Sequence, residues 1–184
     1  MTFLIDRAKC WNATSAEREA VYPCDAYMER IPFQGCLRAI DVEAPPRVVF
    51  RWLCHLKVAP YSYDSIDNGG KLSPRSLIAG VDQLEKGQRF LVFKIVEFEN
   101  ERHITGEVTE EFRNIYGPLA VSYTVRPIDS GHTRLVVKLD VGAISLKERI
   151  RRFIMVWGDL IMARKQLLTL KRLAEDSVRH PEFA

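Results

Sequence analysis

Hydrophobic and polar positions alternate most cleanly in the second half of the chain. Leu119, Val121, Tyr123 and Val125 share one face of a strand expected over 119–128, and Leu135, Val137, Leu139 and Val141 share one face of the next, over 133–141. Arg134, Lys138 and Asp140 fall opposite, so the pattern predicts a sheet with one apolar and one wet side. Two earlier runs, 89–98 and 103–112, are joined by Glu99-Asn100-Glu101-Arg102, and the later pair by a turn around Asp129-Ser130-Gly131. Both joints suit hairpins. A first strand is expected over 36–42, stopped by Glu43-Ala44-Pro45-Pro46. The second proline there suits the first turn of a helix, where its missing N–H costs nothing. Val48, Val49, Trp52, Leu53 and Leu56 follow at helical spacing until Pro60. Turn residues dominate 61–84, leaving room for one short helix.

The period changes again near the C-terminus. Ser145 with Glu148 forms a capping-box signature, and a helix of about 35 residues can run from there to Val178 with only Gly158 inside. At the helical step of roughly 100°, Leu146, Ile150, Phe153, Trp157, Leu160, Ile161 and Leu168 form one stripe centred near Trp157. Met155, Met162 and Leu173 lie on its back, to be covered by the leader or by a second copy in a homodimer. Residues 1–33 read as a polar leader packed on the domain, with Thr14-Ser15-Ala16-Glu17 capping a short helix and Pro23 and Pro32 preventing a long one. The domain proper spans 34–179, followed by a tail, 180–184. The expected class is α+β: a curved antiparallel β-sheet gripping one long C-terminal α-helix, with a short helix after the first strand.

Composition narrows the function classes. The 184 residues are 28% charged and 47% hydrophobic, enough for one core that needs no disulfide or metal. A net charge of +3 without a concentrated basic stripe argues against nucleic acid as a partner. Asp6 and Arg7 interrupt the only apolar stretch near the start, and no run approaches the roughly 18 residues of a membrane-spanning helix. A cytoplasmic protein with reduced thiols is expected. Cys10, Cys24, Cys36 and Cys54 include no C-x-x-C pair, and no H-E-x-x-H or glycine-rich phosphate loop occurs. No metal and no cofactor is expected.

The segment Val42-Glu43-Ala44-Pro45-Pro46-Arg47-Val48-Val49-Phe50-Arg51-Trp52-Leu53 resembles the strand-to-first-helix junction of START-like, helix-grip proteins, the polyketide cyclase/dehydratase and lipid-transport group. Tyr61-Ser62-Tyr63-Asp64 and Leu84-Glu85-Lys86-Gly87-Gln88-Arg89 are similar to segments that follow in bacterial members. The resemblance covers about 35–178 and implies a cavity between long helix and sheet that takes a small hydrophobic molecule: a lipid, a sterol or a polyketide. Such a fold serves carriers, polyketide cyclases and chaperone activators alike. The lack of a recognisable acid–base pair favours binding over catalysis.

Within that frame Arg164 stands out, because it falls about 20° from the Trp157 direction, where a core helix is apolar. Its guanidinium either meets a ligand carboxylate or phosphate in the cavity, or pairs with a protein carboxylate or snorkels out at the sheet edge. Tyr61, Tyr63 and Asp64 stand where this fold has its cavity entrance, as orienting groups or as loop packing and a turn cap. Tyr123 is either a donor in the cavity or a core residue bonded to protein. Trp52, Phe153, Trp157, Ile161 and Leu168 are cavity wall or core, and His103 either faces the pocket or is structural.

Overall fold

The computed structural model describes residues 9–31, 33–142 and 146–180, with the side chains of 34, 67 and 146–156 outside the described set. The chain first forms a two-residue strand, β1 (Cys10–Trp11), and a short helix, α1 (Ser15–Glu19). Thr14 caps α1 with a full capping box: its hydroxyl accepts from Glu17 N–H at 3.2 Å and its own N–H donates to the Glu17 carboxylate at 2.7 Å. A 3-10 turn (Pro23–Tyr27) leads into β2 (Phe33–Val42), which starts three residues before the alternation suggested. Pro46 opens α2 (Pro46–Cys54), followed by a 3-10 turn, His55–Lys57. The one short helix of the irregular stretch is α3 (Asp64–Asp67).

The strands β3 (Arg89–Phe90), β4 (Phe93–Glu99) and β5 (His103–Val108) come next. Then the chain departs from the expected strand over 103–112: residues Glu110–Tyr116 form a helix, α4. Glu110 and Glu111 sit in its first turn, where the helix dipole favours acids, and Gly117 at φ 79° ends it. The hairpin of β6 (Leu119–Pro127) and β7 (Thr133–Gly142) precedes α5 (Leu146–Arg179). Ser145, the expected cap of α5, lies outside the described residues.

The seven strands form one sheet in the order β1-β2-β7-β6-β5-β4-β3, antiparallel except for the β1–β2 edge pair. Strand periodicity gives each face its own set of residues. Cys36, Ile40 and Val42 of β2, Ile104 and Val108 of β5, and the predicted odd-numbered sets of β6 and β7 point to the helix side, where they join α2 and the buried face of α5 in one core. Gly106 shares this face because nothing larger fits: a Cβ there would stand 2.4 Å from the Phe90 ring. Phe90 in turn meets Tyr123 edge-on at 6.3 Å.

The opposite face is not wet. The leader covers it, with Tyr22, Cys24 and Met28 packed against Leu37, Ala39, Ala120 and Val136. The 22–28 part of the leader therefore packs behind the sheet, while Trp11 reaches α5 at Arg164. Leu173, expected on that back, is buried in the main core, and the side chain of Met155 lies outside the described residues. Among the described residues no helix is long and apolar enough to cross a membrane.

Candidate functional site

The inner, helix-side face of the sheet carries a cation, and it is Arg38. This side chain is 1% exposed between Cys36 and Ile40 on β2. Its guanidinium donates to Asp159 Oδ2 of α5 at 2.8 Å and to the carbonyls of Lys9 and Leu37 at 2.7 and 2.9 Å. Burial pushes the Asp159 carboxyl up from its ordinary pKa, and the Arg38 charge opposes that. One ion pair thus fastens sheet, helix and leader together.

Further along the same face Tyr123 donates to Gln166 Oε1 at 2.7 Å, and Gln166 Nε2 donates to Pro60 O at 2.7 Å. Tyr123 and Gln166 are both buried, and burial raises the Tyr123 phenol above its usual range. Beside them lies an aromatic group built by α2 and the segment after it. Trp52 Nε1 donates to Ser177 Oγ at 2.9 Å, and the Trp52 ring touches those of His55 and Tyr61 at 4.8 and 6.1 Å between centroids.

His55 is fully buried, and its pKa falls to about 4 because burial, then Arg51 and Lys57, disfavour the charged ring. Its Nε2 accepts the Ile78 N–H at 3.2 Å, which leaves the neutral ring's proton on Nδ1, directed at Tyr61 Oη 2.9 Å away. Tyr61 holds a left-handed φ of 56° to make this contact, and its own hydroxyl proton meets no acceptor among the described residues. Trp157 Nε1–H is likewise buried with no acceptor among them.

The expected site residues separate into groups. Trp52, Tyr61 and Tyr123 converge in the interior, and Trp157 packs half-buried at its margin. Tyr63 is 37% exposed on the loop. Asp64 staples that loop, accepting from Ser73 Oγ at 2.5 Å and Ser73 N–H at 2.9 Å; the Ser73 hydroxyl is the main cause of its lowered pKa. His103 does not face the helix. Ile104 and Val108 take the inner positions of β5, so His103 points outward, 3.5 Å from Glu97.

Arg164 also departs from expectation: it is exposed, its guanidinium 5.6 Å over the Trp11 ring, and Ile161 and Leu168 are 55% and 43% exposed. The buried face of α5 runs instead through Leu160, Leu167, Leu170 and Ala174, about a quarter of a turn from Trp157. The Phe153 side chain lies outside the described residues.

His55, Gln166, Arg38 and Asp159 were not foreseen. Arg38 had a signal, since a charged residue stands in the apolar register of Cys36, Ile40 and Val42. Gln166 had none, because Tyr123 and Pro60 come from distant segments, and His55 had none, because no helical or strand period pairs it with Tyr61 or Ile78.

No family model matches the sequence, and no curated protein matches it. Solved structures do. The Zhui aromatase/cyclase of Streptomyces sp. R1128 is 17% identical, with a TM-score of 0.53 over 83% of this chain and 100% of that one. A Polyketide_cyc-like protein of Corynebacterium glutamicum is 16% identical (TM-score 0.46, covering 81% and 96%), and a Thalictrum norcoclaurine synthase is 12% identical (0.47, covering 83% and 98%). The likeness to the Zhui structure shows that the chain has the START-like helix-grip fold.

Proposed function

We propose that the protein binds a small apolar molecule bearing a hydrogen-bond acceptor, a carbonyl or a carboxylate, between the inner face of the sheet and α5. The observation that carries this reading is the Trp157 indole N–H, buried beside apolar side chains with no acceptor among the described residues. A buried donor left unpaired costs about 1–3 kcal/mol, which a ligand oxygen would recover on binding. The described half of α5 packs on α2 and β2. Phe93, Ile95, Ile104 and Val108, on the inner face of β4 and β5, belong to the same buried apolar core and supply the lining this reading assigns to the ligand. The described surface grooves, at the end of α5 and beside α2, are open and charged and do not offer such a wall.

Native mass spectrometry of gently purified protein, followed by thermal shifts with fatty acids, sterols and aromatic polyketides, tests this. A bound apolar molecule is expected. Trp157→Phe should weaken carbonyl-bearing ligands roughly tenfold, equivalent to one hydrogen bond, while Arg164→Leu leaves affinity unchanged. Empty protein that no compound in the panel stabilises would sink the idea.

A second reading, a cyclase using the same space, is favoured by Tyr61, whose phenol accepts from His55 and keeps its proton available for a substrate carbonyl. Turnover of a poly-β-carbonyl chain that Tyr61→Phe abolishes without loss of binding would establish it. Equal rates in the two proteins would end it.

A further inference from the structure

The outer face of the sheet holds an acid that is poorly provided for. Asp140 of β7 is fully buried, and among the described residues neither of its carboxylate oxygens accepts a hydrogen bond. Lys138 Nζ stands 3.8 Å from Oδ1, beyond hydrogen-bonding reach, and is committed to Asp25. Two carboxylates therefore share one ammonium, and the nearest other polar hydrogen to Asp140 among the described groups is the Cys24 thiol. Burial accordingly pushes its pKa up to about 7.

Two further groups are aimed at the same point by the 3-10 turn of the leader. Cys24, also fully buried, is fixed through its N–H, which donates to Ser122 Oγ at 2.9 Å. Asp25 is fixed through Oδ2, which accepts the Tyr22 N–H at 3.0 Å. The Cys24 sulfur and one oxygen from each carboxylate lie within 4.8 Å of one another.

We propose that Cys24, Asp25 and Asp140 bind a zinc-class divalent transition-metal ion, which ties the leader to the back of the sheet. One thiolate with two carboxylates suits a borderline metal: calcium and magnesium avoid sulfur, and copper(I) avoids a mainly oxygen set. The ion supplies the positive charge that Asp140 lacks, and the thiol gives up its proton on ligation. Lys138 has a seat to withdraw to, since its ammonium is already 5.3 Å from the Tyr22 ring and 5.8 Å from that of Phe33. Motif reading does not reveal this site, because two ligands come from the leader and the third from β7, far apart in sequence.

The test is titration of chelator-treated full-length protein with cobalt(II) alone. One equivalent should bind with a thiolate-to-cobalt charge-transfer absorption in the near ultraviolet, zinc should displace it, and zinc should raise the melting temperature. Cys24→Ser should remove the charge-transfer band, Asp140→Asn should weaken binding roughly tenfold or more, and Cys10→Ser should change neither. Circular dichroism verifies that each variant is folded. Should Cys24→Ser not fold, Asp140→Asn, of nearly the same shape, decides alone. Absence of the band in the native protein, or the same cobalt affinity with and without Asp140, overturns the proposal.

Discussion

The two faces of the sheet are made by alternate residues of the same strands, yet they solve burial differently. On the inner face, apolar and aromatic side chains surround a few polar groups, each tied to α5 or to the segment after α2: Arg38 to Asp159, Tyr123 to Gln166, Tyr61 to His55. On the outer face, a short leader covers a lattice of charges. Arg134 bridges Glu17 and Asp41 at 2.8 and 3.1 Å, Lys138 joins Asp25, and Thr105 meets Ser122 at 2.9 Å. A long helix can bury one face with hydrocarbon. The described part of the leader, residues 9–31, has less apolar surface to offer than a long helix, and directional charge contacts hold it in place. This division gathers hydrocarbon and a few paired polar groups on the inner face and the charge contacts on the outer one.

The largest effect should come from breaking the inner ion pair. Asp159→Ala leaves the Arg38 guanidinium buried without its carboxylate and should cost about 4 kcal/mol in urea denaturation, whereas Arg38→Met with Asp159→Leu should recover most of that. An Asp159→Ala loss no greater than that of Glu17→Gln on the outer face would remove the contrast between the faces.

Next in size, Leu167→Ala should cost about 3 kcal/mol and the neighbouring Leu168→Ala less than about 1, because only Leu167 is fully buried. The reverse order would mean that α5 presents the face centred on Trp157 after all.

Two groups, His55 on the inner side and Glu17 on the outer, should also fail in different pH windows, read in an Asp140→Asn background because Asp140, raised to about 7, titrates across the upper window with the opposite sign. An unfolded histidine takes its proton near 6.5, but buried His55 does so only near 4. The unfolded chain therefore binds more protons in that interval, and stability falls as pH drops from 6.5 through 4. Glu17, lowered from 4.5 to about 2 chiefly by its bond to Arg134, contributes stability that is complete above 4.5 and lost as pH falls toward 2. Each amounts to something on the order of 2 kcal/mol after allowance for solvent screening. Denaturation midpoints between pH 7 and 2 should show the upper limb vanish in His55→Gln and the lower one in Glu17→Gln; a single limb unaffected by either variant would contradict the assignment.

The smallest effect belongs to Arg164→Leu. An exposed cation over one indole is worth roughly 0.5–1 kcal/mol, so a fall in melting temperature of more than a few degrees would show that the residue does more than cover Trp11.

Sequence periodicity located the inner face well, since Leu119 to Val125 and Leu135 to Val141 place hydrocarbon at every second position, and Pro45-Pro46 marks the start of α2 without ambiguity. It failed where polar residues are buried with distant partners. Gln166 and Asp159 occupy the buried side of α5, so a fit that rejects polar positions turned the helix toward Ile161, Arg164 and Leu168. Alternation also misled at Val108-Thr109-Glu110-Glu111-Phe112, which mimics a strand but follows the capping and dipole rules of α4. His103 was decided by one step of register. Burial of the outer face was not legible, because Lys138 and Asp140 look solvated until the leader is placed over them.

The short strand β1 has a consequence for handling the protein. Sheets that end in long unpaired strands invite a second chain to add to them, and here both margins close with strands of two residues. At the β2 margin, Cys10 and Trp11 pair with Leu37 and Arg38, while the Asn12 side-chain amide donates to Ala39 O at 3.1 Å. Trimming the chain before Thr14 to obtain a tidier fragment would strip that cover from a ten-residue strand and expose its backbone for pairing with a second chain.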